Sequence, residues 1–60
     1  MPKLIATYSN RRSLYRLSNG HYDMWHDGWC CKITALNDEE AVERFAQWCY
    51  TKKEFITVIA

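Results

Sequence analysis

No apolar run in this chain approaches the roughly 18–20 residues of a membrane-spanning helix. No basic segment with an apolar core precedes the body of the sequence either. Membrane insertion and secretory export are therefore not expected, and a cytoplasmic protein is. Cys30, Cys31 and Cys49 are odd in number and lack the spacing of a disulfide framework, which fits free thiols in a reducing compartment. His21, Asp23, His26 and Asp27 add ligand types to the cysteines, but there is no CxxC and no HxxxH pair. No metal and no other cofactor is expected on that spacing. GxSxG, HExxH and a phosphate loop are all missing. A Cys–His dyad is chemically available, yet 60 residues leave little wall for a pocket of about 300 Å³ or more. The expectation is a protein that is not an enzyme and has no small-molecule substrate. Repeats, linkers and low-complexity segments are absent too, so residues 1–60 read as one domain.

What is present is a generous set of aromatics and a segregation of charge. Three tryptophans and four tyrosines each bring roughly 150–250 Å² to a core or an interface. A domain this short has a core worth only about 3–5 kcal/mol, so that area counts. The net charge of +1 conceals Lys3, Arg11, Arg12 and Arg16 in an N-terminal third without acids, against Asp38, Glu39, Glu40 and Glu43 further on. Two outcomes stay open: an oriented dipole that steers a charged partner, or attraction between the two groups inside the fold.

Period-2 alternation places strands at Lys3–Tyr8, Ser13–Ser18, His21–Trp25 and Trp29–Ala35, with one long bulged strand over 21–35 as the alternative to the last two. In the first, Leu4 and Ala6 share one face, and Ile5 and Thr7 the other. In the last, Trp29, Cys31, Ile33 and Ala35 form the face expected to be buried. Asn19-Gly20 predicts a type I′ turn, which needs positive φ at both central residues. Asn37 caps a helix and Glu40 closes a capping box. Ala41, Phe45 and Trp48, flanked by Val42, Ala46 and Cys49, make its apolar face, and Thr51, Lys52 and Lys53 end it. Glu54–Ile59, apolar on both faces, reads as a central final strand whose direction is left open. The fold class is α+β: a small, mainly antiparallel sheet of four to five short strands with one amphipathic helix on one face and a strand after it.

With chemistry set aside, surfaces remain. Interfaces favour Trp, Tyr, Met and Arg. Tyr22, Trp25, Arg11, Arg12 and Arg16 form a candidate partner-binding set, with Trp25 the tryptophan expected outside the core. The acidic residues Glu39, Glu40 and Glu43 are the alternative contact surface. A single-stranded nucleic-acid module would use the same arginines with Tyr15 and Tyr22 as stacking platforms. A near-neutral charge and the lack of an RNP-type run rank it second. A homodimer is a linked alternative, because pairing adds core to so small a domain.

Through Ile33-Thr34-Ala35-Leu36-Asn37-Asp38-Glu39-Glu40-Ala41-Val42 and Phe45-Ala46-Gln47-Trp48-Cys49-Tyr50, the C-terminal half of this chain resembles the RNA polymerase inhibitor of T7-like phages. The shared pattern is a strand, an acidic Glu-Ala helix start, an Ala-x-Trp-x-Tyr helix end and a short strand. The resemblance implies a phage-type protein in the host-cell cytoplasm that binds and inhibits a host protein without catalysis. RNA polymerase and a defence complex are the two targets considered, since other tiny phage inhibitors share this composition. The family's final strand carries binding arginines where Phe55 to Ile59 is apolar here, so no binding residue carries over at that position.

Overall fold

A computed structural model describes residues 1–59. The alternating first half of the chain forms β1 (Lys3–Tyr8), β2 (Arg12–Ser18), β3 (His21–His26) and β4 (Trp29–Thr34). The helix α1 (Asp38–Trp48), a 3-10 turn (Lys53–Phe55) and β5 (Thr57–Val58) follow. The strands make one sheet in the order β4-β3-β2-β1-β5, and every neighbouring pair is antiparallel. This is the expected α+β architecture, with the last strand now placed antiparallel to β1.

Cross-strand partners share a face of a sheet. Arg12, His26 and Trp29 lie in one row, Leu14, Met24 and Cys31 in the next, and Arg16, Tyr22 and Ile33 in a third. These rows face α1. The core closes where Ile5, Ala6, Leu14, Tyr22 and Met24 meet Ala41, Val42, Phe45, Ala46 and Cys49. The other face presents Tyr15, Asp23 and Lys32 in one row and Ser13, Trp25 and Cys30 in the next.

Both turn and helix termini depart in detail from the sequence expectations. At Asn19-Gly20 only the glycine has positive φ, +78°. The pairing slips between Arg16 and Ser18, so a bulge takes the place of the type I′ geometry. The type I′ signature falls instead on Asp27 and Gly28, with φ of +48° and +87°, closed by the His26–Trp29 pair. In β1 a bulge between Leu4 and Ala6 turns consecutive residues inward, so Ile5 and Ala6 are both buried rather than on opposite faces. Asn37 Oδ1 accepts from the Glu40 amide at 2.8 Å. Glu40 reaches back one residue further than a capping box requires, accepting from the Leu36 amide at 3.0 Å.

The helix stops at Trp48, and Cys49 is its C-cap. Tyr50 turns left-handed at φ +56°. The amides of Tyr50 and Thr51 donate to Gln47 and Ala46 at 3.1 and 3.0 Å, a Schellman closure. Two expectations are corrected by what lies at the margins. Glu54–Ile59 is not a central strand: a 3-10 turn consumes its start, and only Ile56 reaches the core. The remaining β5 is a two-residue edge strand. β4 does not bury a face, because it lies at the opposite edge, where the helix leaves Trp29 and Cys31 exposed and Ile33 half-buried.

Candidate partner-binding surfaces

The expected basic and aromatic set is divided between the two faces of the sheet. Arg16 Nη1 lies 2.9 Å from Asp38 Oδ2, and the Tyr22 hydroxyl donates to Asp38 Oδ1 at 2.7 Å. Asp38 is the first residue of α1, so these two contacts fasten the start of the helix to β2 and β3. Burial, followed by the hydrogen bond to the Asp38 carboxylate, pushes the Tyr22 phenol up to about 12. At the other end of the helix, the Arg12 guanidinium sits 6.0 Å from the Trp48 ring centroid. His26 meets the same indole edge-on at 6.2 Å. Arg12, Arg16 and Tyr22 thus clamp the helix, and of the basic and aromatic set Arg11 and Trp25 lie away from it.

Those two lie together. Trp25 is 41 % exposed on the face away from α1. It lines an open depression of about 470 Å³ with Arg11, Ser13, Tyr15, Asp23 and Asp27, among others. Arg11 Nη1 is 3.3 Å from Asp27 Oδ2, which joins the β1–β2 and β3–β4 turns at one end of the sheet. Asp23, only 7 % exposed, accepts from Lys32 Nζ at 3.1 Å on the same face. That hydrogen bond and the carboxylate charge raise the Lys32 pKa. Tyr15 and Asp23 also belong to this surface, outside the partner-binding set expected from composition. The legible signal was their position: both occupy the alternate register to the core residues Leu14, Tyr22 and Met24.

The acidic set is compensated within the fold. Lys53 Nζ stands 3.5 Å from both Glu39 and Glu43, and Glu40 is 3.8 Å from Arg44. Lys53 therefore belongs to the helix's outer side instead of ending the helix by its charge. Of the two outcomes for the segregated charges, internal attraction is realised at Arg16–Asp38.

The cysteines are spread over three environments. Cys30 and Cys31 are exposed on opposite faces of β4, and Cys49 is buried. Loss of hydration and then the Asp23 carboxylate push the Cys30 thiol up. Burial pushes the Cys49 thiol up against the opposing influence of Arg12. Both shifts favour the thiol over the nucleophilic thiolate. Among the described residues no three His, Cys, Asp or Glu side chains converge on one point, and no helix is long and apolar enough to cross a membrane.

No family model, curated protein or solved structure matches this chain. The reading of its function therefore rests on the surfaces above and on the residues that carry the phage-inhibitor resemblance.

Proposed function

We propose that this chain is a small non-catalytic protein that binds and inhibits a host protein, RNA polymerase or a defence complex, in the cytoplasm of an infected cell. The contact surface is the sheet face opposite α1, centred on Trp25 with Tyr15 and Arg11 beside it. The observation that carries this is a half-exposed tryptophan on a face that no described element covers. Tryptophan and arginine are the side chains most often responsible for binding energy at protein interfaces.

The nucleic-acid alternative has less support from this fold. Arg12, Arg16 and Tyr22 face the helix, whereas Tyr15 faces away from it. On the open face Lys32 and Arg11 each have a carboxylate beside them, which lowers the net positive charge offered to phosphates.

Affinity capture from bacterial lysate, with transcription by purified bacterial RNA polymerase assayed in parallel, tests the proposal. Trp25→Ala is expected to weaken capture by about thirtyfold, the effect of losing an interface anchor worth about 2 kcal/mol. The folded spectrum should be unchanged. Capture that survives both Trp25→Ala and Arg11→Glu would remove this face from consideration. Uninhibited transcription would leave the defence-complex arm as the target.

A further inference from the structure

We infer that β4 pairs antiparallel with β4 of a second copy, joining two sheets into one of ten strands with both helices on the same side. This does not rest on the host-protein reading. The two edges of the sheet are unequal: β5 is two residues long, whereas β4 offers six, none of them buried. An exposed edge strand of that length, rich in β-formers and carrying a single charge at Lys32, is a template for another strand.

The ladder decides which backbone groups are free. His26 and Trp29 flank the two-residue turn, and such flanking residues form a hydrogen-bonded pair. The Ala35 amide donates inward to the Gly20 carbonyl at 3.1 Å, in phase with that pair. Odd-numbered residues of β4 therefore bond to β3, and the amides and carbonyls of Cys30, Lys32 and Thr34 point out of the sheet. A second copy has to match these outward residues with its own, which leaves twofold axes at Cys30, Cys31, Lys32 or Ile33.

An axis at Ile33 overlaps only residues 32–34 of each strand and leaves Trp29 without a strand partner, and side chains select among the other three. An axis at Lys32 sets two ammonium groups directly opposite each other, which is destabilising. An axis at Cys30 shortens the overlap and places Ile33 against the turn residue Asp27. An axis at Cys31 pairs Trp29 with Ile33 twice and Cys30 with Lys32 twice, so the 77 % exposed indole of Trp29 gains an apolar neighbour. The same operation carries the Asp27-Gly28 turn of one copy alongside Thr34–Leu36 of the other. There a depression of about 420 Å³ is lined by Thr34, Ala35, Leu36, Glu40 and Arg44, so the Asp27 carboxylate approaches the Arg44 guanidinium. The charge match is isologous: each copy gives and receives the same contact.

In this register Cys31 stands opposite Cys31 in a non-hydrogen-bonded pair, with Cα atoms about 4.5 Å apart, inside the range that a disulfide spans. Cys30 is offset from its counterpart by two residues. Sedimentation equilibrium at micromolar concentration is expected to give twice the 7.2 kDa chain mass. Cys30→Pro, which removes an outward amide and the Cys30 thiol but no ladder bond to β3, is expected to halve it with the circular dichroism unchanged. In the reduced protein, diamide takes up two electrons and two protons from two thiols as the sulfur–sulfur bond forms. A covalent dimer is expected from Cys30→Ser and is expected to be lost in Cys31→Ser. A monomer in sedimentation, a dimer that persists in folded Cys30→Pro, or crosslinking through Cys30 in place of Cys31 would each overturn the inference. The crosslinking arm reads the register even where the proline variant does not fold.

Discussion

Tyr50 sits where a glycine is the usual occupant. It closes α1 at φ +56°, and its ring is 96 % exposed, so no packing within the chain offsets the left-handed backbone. That conformation costs a residue with a Cβ about 1–2 kcal/mol, and glycine at the same position of a Schellman closure avoids it. Tyr50→Gly is expected to stabilise the domain by about 1 kcal/mol, part of the gain being lost to the greater freedom of glycine when unfolded. In a chain of this size, 1 kcal/mol corresponds to roughly 4–8 °C in Tm, readily measured by thermal denaturation. An unchanged or lower Tm would mean that the ring holds the terminus in a way its exposure does not suggest. The residues whose roles were hardest to read in the sequence are of this kind. Arg12, Arg16 and Tyr22 have the composition of an interface, but Trp48 and Asp38 supply partners inside the fold. Which face of a strand meets the helix decides between the two roles, and a bulge of one residue is enough to exchange them.

At the scale of elements, α1 is held at both ends as well as along its apolar face. Arg12 of β2 and His26 of β3 meet the Trp48 ring at one end, while Asp38 accepts from β2 and β3 together at the other. Asp38→Ala removes both acceptor contacts and is expected to cost about 1–2 kcal/mol, the range for hydrogen bonds to a charged group reduced for partial exposure. A cycle of Asp38→Ala with Tyr22→Phe, followed by chemical denaturation, should give a coupling of about 1 kcal/mol. Additive effects would show that the two groups stabilise the fold separately. The strands, the helix and its Asn37 cap were legible because alternation, helical spacing and capping chemistry are local. The type I′ geometry fell on Asp27-Gly28 and not on Asn19-Gly20 because Asn-Gly and Asp-Gly carry the same local signal, and the bulge in β2 is set by pairing. Glu54–Ile59 and β4 were misjudged for one shared reason: apolar composition reports that a strand is suited to burial, not whether anything lies over it. The helix leaves Trp29 and Cys31 exposed at one edge and Val58 at the other.

Across the whole molecule, opposite charges are spent largely on one another. Asp23 with Lys32, Asp27 with Arg11, Asp38 with Arg16, and Glu39 and Glu43 with Lys53 tie separate elements together. Besides the Cys30 and Cys49 thiols, two groups bonded to these carboxylates make the fold sensitive to high pH. The Tyr22 phenol is raised from 10.0 to about 12 by burial and by its bond to Asp38, and Lys32 is raised by its bond to Asp23. In both cases the folded state holds the proton more tightly than the unfolded chain does. Their contribution to stability is complete below the ordinary pKa of each group and is lost as pH climbs through the folded value. For Tyr22 that window runs from about pH 10 to about 12. The wild-type denaturation midpoint is therefore expected to fall across this window, and Tyr22→Phe, less stable at neutral pH, should decline less steeply there. Phenolate absorbance supplies the second reading: the folded protein should show a component near pH 12 that Tyr22→Phe lacks. Parallel stability curves for the two proteins, with no such component, would place the Tyr22 hydroxyl in contact with water and not on Asp38, and would release Tyr22 from the helix clamp.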